Sequence, residues 1–126
     1  MRVFMTKSFR RFQRKEGIAD AALCEAVRRA ERGLVDADLG GGLIKQRVSR
    51  PGEGRRGGFR TVIAYRVGDR AVFLFGFAKN DQANLSREDE RDLKDYGALL
   101  LALDAGGIGK MLVGQELTEI DYGDQT

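Results

Sequence analysis

The chemistry this chain can offer is concentrated between Lys45 and Ser86, in KQRVSRPGEGRRGGFRTVIAYRVGDRAVFLFGFAKNDQANLS. From Lys45 to Arg60 it carries Lys45, Arg47, Arg50, Arg55, Arg56 and Arg60 against one acid, Glu53. Such a cluster suits a polyanion, because closely spaced cations raise the local potential that an extended anion meets. Lys45 and Arg47 are two apart in the extended run LIKQRVS, so they share a face. The strands around them are apolar and alternating, which mounts the charges on a packed sheet instead of a tail. Rigid mounting favours recognition or chemistry over simple attraction.

Composition removes several other chemistries. The chain has no His and a single cysteine, Cys24, so a Cys/His nucleophile pair and a His-based metal site are both excluded. No metal or cofactor is expected. Cys24 sits in a helical pattern beside an apolar face and is assigned no role. The glycine-rich run is not a phosphate loop of the Walker type: it lacks G-x-x-x-x-G-K-[ST] and leads into a strand, not a helix N-terminus.

The elements that must position these residues can be read from periodicity. Arg2 to Met5 reads as an opening strand, and Thr6 or Ser8 as the cap of a helix with Phe9 and Phe12 on one face. Gly17 ends that helix, and Asp20 is the candidate cap of the next. In that second helix Leu23, Ala26, Val27 and Ala30 form the apolar stripe, with Glu25, Arg28, Arg29 and Arg32 opposite. Asp36 to Gly42 reads as a loop whose successive glycines permit positive φ.

After the strand Leu43 to Ser49, Pro51 and Gly52 break the extended run, and Gly54, Gly57 and Gly58 belong to a loop. Phe59 to Arg66 alternates, and Gly68-Asp69 forms a two-residue turn into Arg70 to Lys79. That arm puts Phe73, Phe75 and Phe77 on one side and Val72, Leu74 and Ala78 on the other; Gly76 leaves room for a backbone or a ligand. Ser86 caps a final helix with Leu93, Tyr96, Leu100 and Leu103 on one face, stopped by Gly106 and Gly107. The tail from Lys110 to Ile120 adds a short turn or strand before a polar end.

The 126 residues suit one domain, 1–126, with a polar tail after about residue 120. No segment approaches the roughly 18 apolar residues of a membrane span, and the start lacks the apolar core of a signal peptide. A cytoplasmic protein without a membrane partner is expected. Charge is lopsided: residues 1–60 carry 15 basic and 7 acidic side chains, and residues 61–126 carry 7 and 12. One part of the fold therefore presents a polyanion-binding face, with an acidic helix elsewhere.

The order β-α-α-β-β-β-α, with K-x-R, G-x-x-G-G-F-R, F-A-K-N and N-L-S, resembles the RelE/ParE superfamily of toxins from bacterial toxin–antitoxin pairs, and within it the RelE-type, HigB-like branch. The resemblance covers nearly the whole chain. It implies a small α+β fold: a mostly antiparallel sheet of about four strands, two N-terminal helices and one C-terminal helix. It further implies a ribosome-dependent endoribonuclease that cuts messenger RNA by attack of a ribose 2′-OH on the adjacent phosphate. Its partners would be the ribosome, mRNA and a cognate antitoxin, often of helix-turn-helix type.

On this resemblance Lys45, Arg47, Arg60 and Lys79 match the family's catalytic positions, and Arg50, Arg55, Arg56 and Asn80 would contact RNA. Lys45 takes the proton-transfer role, while Arg60 and Lys79 stabilise phosphate charge. Where relatives place a tyrosine or histidine downstream of the basic residue, this chain has Asn84, Leu85 and Ser86, which leaves the general acid unassigned. Tyr65 would substitute only if its strand face turned toward the site; core packing is the preferred reading. Two alternatives stay open: a non-catalytic RNA- or antitoxin-binding module, and a ParE-like gyrase inhibitor.

Overall fold

The computed structural model describes residues 1–50, 54–78 and 85–123, with the backbone alone for 54–56. Strand β1 (Arg2–Thr6) is apolar on both sides, with Val3, Phe4 and Met5 all buried, and such a strand must lie inside a sheet. Thr6 then caps α1 (Lys7–Glu16): its Oγ1 accepts from the Phe9 N–H at 3.2 Å, and Gly17 closes the helix at φ 67°. Helix α2 (Asp20–Glu31) starts differently from expectation. Ala19 occupies the cap position, and the Asp20 carboxylate instead accepts from Gln13 Nε2 at 2.5 Å, tying α2 to α1.

The expected 36–42 loop contains a strand, β2 (Ala37–Gly40), which turns into β3 (Leu43–Arg50) through Gly40, Gly41 and Gly42 at φ 82°, 62° and 85°. Strand β4 (Gly54–Arg66) also begins earlier than expected: Gly54, Gly57 and Gly58 lie in the strand, and Gly54 pairs with Arg50. A three-residue turn, Val67 to Asp69, leads into β5 (Arg70–Ala78), since Arg66 pairs directly with Arg70.

Ser86 caps α3 (Arg87–Ala102), accepting from the Asp89 N–H at 3.0 Å. Gly106 and Gly107 do not stop a helix. The break falls at Leu103, and Asp104 caps α4 (Ala105–Val113), bent 113° from α3. Strand β6 (Leu117–Ile120) follows.

The described strands form a six-stranded sheet in the order β2-β3-β4-β5-β1-β6, antiparallel except for the β1–β5 pair. The α+β class holds, with β2, β6 and α4 beyond the four strands and three helices of the sequence-based expectation. Helices α1 and α2 cover one face over Val3, Met5, Phe9, Leu23, Val27, Ile63 and Phe73. Helices α3 and α4 cover part of the other over Phe4, Leu43, Val62, Val72, Leu100 and Ile108. On α3 the contact runs through Leu93, Gly97, Leu100 and Leu101, while Tyr96 stays 37% exposed. No single described helix is long and apolar enough to cross a membrane.

Candidate active site

The site is built by register. Lys45 pairs with Val62 and Arg47 with Arg60 across β3 and β4; Val62 in turn pairs with Phe75 and Arg60 with Phe77 across β4 and β5. Residues directly opposite in a ladder point to the same face, so Lys45–Val62–Phe75 and Arg47–Arg60–Phe77 form two neighbouring rows. Leu43 and Ala64 continue the same face, and α3 covers them: a Cβ on Gly97 would stand 3.0 Å from Leu43 and 3.2 Å from Ala64. The cationic rows lie at the far end of the strands from that contact. Arg47 is exposed there, and Lys45, Arg60, Phe75 and Phe77 are half-buried.

Two features of these rows oppose folding. Like charges directly opposite in a ladder repel, and Arg47 faces Arg60. Among the described residues, one guanidinium nitrogen of Arg60, Nη1, is also buried without a hydrogen-bond partner, an omission worth about 1–3 kcal/mol. Nor does any carboxylate among the described residues form an ion pair with Lys45, Arg47 or Arg60. The arrangement is one that an incoming anion relieves.

Periodicity assigns Phe73, Phe75 and Phe77 to one side of β5, but the ladder slips between them. Val62 pairs with Phe75 and Ile63 with Phe73, which leaves Leu74 as the extra residue of a β-bulge. Phe73 stays under α1, 5.1 Å from the Phe9 ring, whereas Phe75 and Phe77 turn to the cationic face with ring centroids 5.9 Å apart. Gly76 remains on the α1 side, where a Cβ would come within 2.5 Å of the Phe12 ring. The room it leaves is filled by Phe12, not by a ligand or a neighbouring backbone.

The backbone at Arg47 is clamped from behind. Its N–H donates to Asp36 Oδ2 at 2.7 Å, and its carbonyl accepts from Arg29 Nη2. Arg29, expected on the solvent side of its helix, is 4% exposed and also bonds Glu25 at 2.8 Å. Next to Arg47, Gln46 is wholly buried. It donates to the Ala26 carbonyl at 2.9 Å and the Leu34 carbonyl at 3.2 Å, and accepts from the Asp36 N–H at 2.7 Å. Thr61 Oγ1 donates to the Gln46 carbonyl at 2.9 Å, extending the clamp to β4. These bonds hold β3, and with it Lys45 and Arg47, in fixed register over α2.

The remaining sequence candidates divide. Arg50 leans the other way, its guanidinium 5.1 Å from the centre of the Phe59 ring on the α1–α2 side. Lys79 and Asn80, and the side chains of Arg55 and Arg56, lie outside the described residues, as does Asn84. Tyr65 belongs to the α1–α2 core, where burial pushes its phenol up and leaves its Oη without a partner. It faces away from Lys45. Ser86 serves as the α3 cap. Burial likewise raises the Cys24 thiol, whose Sγ reaches only the Asp121 carbonyl at 3.8 Å.

The family described as RelE toxin of RelE / RelB toxin-antitoxin system matches residues 1–120. The chain belongs to the RelE family. It is accordingly a toxin of a toxin–antitoxin system, and an antitoxin is its implied partner. No individual curated protein matches the chain.

Proposed function

We propose that this RelE-family toxin is a ribosome-dependent mRNA endoribonuclease acting in the cytoplasm. The observation that carries the reading is the Arg47–Arg60–Phe77 row beside Lys45, with the Arg60 Nη1 donor buried and unmet among the described residues. In the reaction the 2′-oxygen of one ribose forms a bond to the adjacent phosphorus and the bond to the 5′-oxygen breaks. The products are a 2′,3′-cyclic phosphate and a free 5′-hydroxyl.

Lys45, as the free amine, takes the 2′-OH proton in this scheme, and the leaving 5′-oxygen takes its proton from water. Arg47 and Arg60 oppose the charge that grows on the phosphate oxygens, where preorganised donors are most effective because they need no reorientation. Lys79, which follows β5 in the sequence, is assigned to the same task. Without a histidine in the chain, and with Tyr65 on the other face, charge stabilisation is the site's main contribution. Arg55, Arg56 and Asn80 are proposed to follow the RNA backbone. Arg50, whose guanidinium lies over the Phe59 ring, stays the RNA-contact candidate set apart from this face.

The antitoxin is proposed to carry an acidic segment that covers this face, and to be of the helix-turn-helix type. Opposite charge steers such a pair together. The test is a purified translation system in which cleavage is mapped by primer extension. Wild-type chain should cut the message only while ribosomes engage it, and Lys45→Ala and Arg60→Ala should each lower cleavage at least about a hundredfold. Undiminished cutting by both variants would reject the assignment.

A further inference from the structure

We infer that Phe77, backed by Phe75, is a stacking surface for an unpaired nucleobase of the RNA strand whose phosphate lies at Arg60. The inference deepens the nuclease reading and rests on it. Phe77 is directly opposite Arg60, one strand spacing away, about 4.8 Å between backbones. The ring is half-buried and, among the described residues, is not one of the side chains packed against either core cluster. Phe75, by contrast, is packed against the α3-side core, and its ring lies 5.9 Å from that of Phe77 at a tilt of 40°. One ring is anchored, and the other extends the aromatic surface toward the arginines.

The bulge at Leu74 is what produces this arrangement. With regular alternation Phe75 and Phe77 would fall with Phe73 beneath α1; the extra residue transfers both to the cationic face. Bulges re-aim side chains beside functional sites, and here the re-aimed side chains are aromatic. An aromatic face next to cations is the combination that binds single strands, since every base has a π-face and every nucleotide a phosphate. A base held this way is splayed from its neighbour, which turns the 2′-OH toward the attacked phosphorus. Base identity would matter little at this position, and the unpaired state would matter strongly.

The experiment uses ribosomes programmed with a message whose empty A-site codon carries 2′-deoxyriboses, so that binding is read without cleavage. One position bears 2-aminopurine in one message and an abasic nucleotide in a second. The wild-type chain should hold the base-bearing message about tenfold more tightly than the abasic one. 2-Aminopurine fluorescence should fall on binding. Phe77→Tyr should keep both effects and Phe77→Leu should lose both. Equal affinity of the wild-type chain for the two messages, with binding still weakened by salt, overturns the stacking role and leaves the phosphate site intact. No binding to either programmed ribosome overturns the nuclease reading together with this subsite.

Discussion

Arg47 and Arg60 stand directly opposite each other across the β3–β4 ladder, two like charges without an ion-pairing carboxylate between them among the described residues. A sheet selected for stability alone would place an opposite charge or a threonine there. Arg47→Thr should therefore raise stability, by about 0.5 kcal/mol in urea unfolding, while lowering message cleavage at least about a hundredfold. Gain of stability with loss of activity separates a functional charge pair from an incidental one. Loss of both would assign Arg47 a structural role.

The clamp behind Arg47 leads to the opposite expectation. Arg29 is buried against Glu25, Asp36 and the Arg47 carbonyl, so Arg29→Ala leaves those acceptors without their donor and should cost about 3 kcal/mol. Arg29→Lys should not restore it, because a single ammonium cannot reproduce the planar fork. Thermal unfolding of the two variants checks this. A melting temperature for Arg29→Lys equal to wild type would show that charge alone suffices.

Gly76 and Phe12 are coupled by lack of space. Gly76→Ala brings a methyl group to within 2.5 Å of the Phe12 ring and should destabilise by about 1–3 kcal/mol. Phe12→Leu in the same chain should recover part of that loss. Additive effects in the double-mutant cycle would rule out the contact.

Acid sensitivity has one traceable source at the sheet edge. Arg2 donates to Glu119 through Nε and Nη2, both at 2.9 Å, joining β1 to β6 and holding the Glu119 carboxyl below its usual range. A carboxyl lowered in the folded state contributes stability above its unfolded value, and that contribution is lost as pH falls through the folded one. Both side chains are more than a third exposed, so the contribution is only about 0.5 kcal/mol. Wild type and Glu119→Gln should differ by about that much near neutrality and converge below about pH 4. A constant difference across that range would contradict the ion pair.

Much of the architecture was legible because it follows from local chemistry. Thr6, Gly17 and Ser86 cap where their residue types require, and the shared face of Lys45 and Arg47 follows from a period of two. What the sequence conceals depends on partners distant in the chain. Nothing local marks Leu74 as a bulge, so simple alternation misplaces Phe75 and Phe77. Arg29 reads as a solvent-facing cation until Asp36 and the Arg47 carbonyl are brought to it. Glycines mislead in the other direction: Gly57 and Gly58 lie in β4, and Gly106 and Gly107 lie in α4.

The central claim is that the cationic face acts on messages during translation and not on DNA gyrase, and parallel pulse labelling after induction in living cells tests it most directly. Amino-acid incorporation should fall first, with new 5′ ends appearing inside translated messages and thymidine incorporation declining only later. Thymidine incorporation falling first, with DNA breaks and intact messages, would contradict the account.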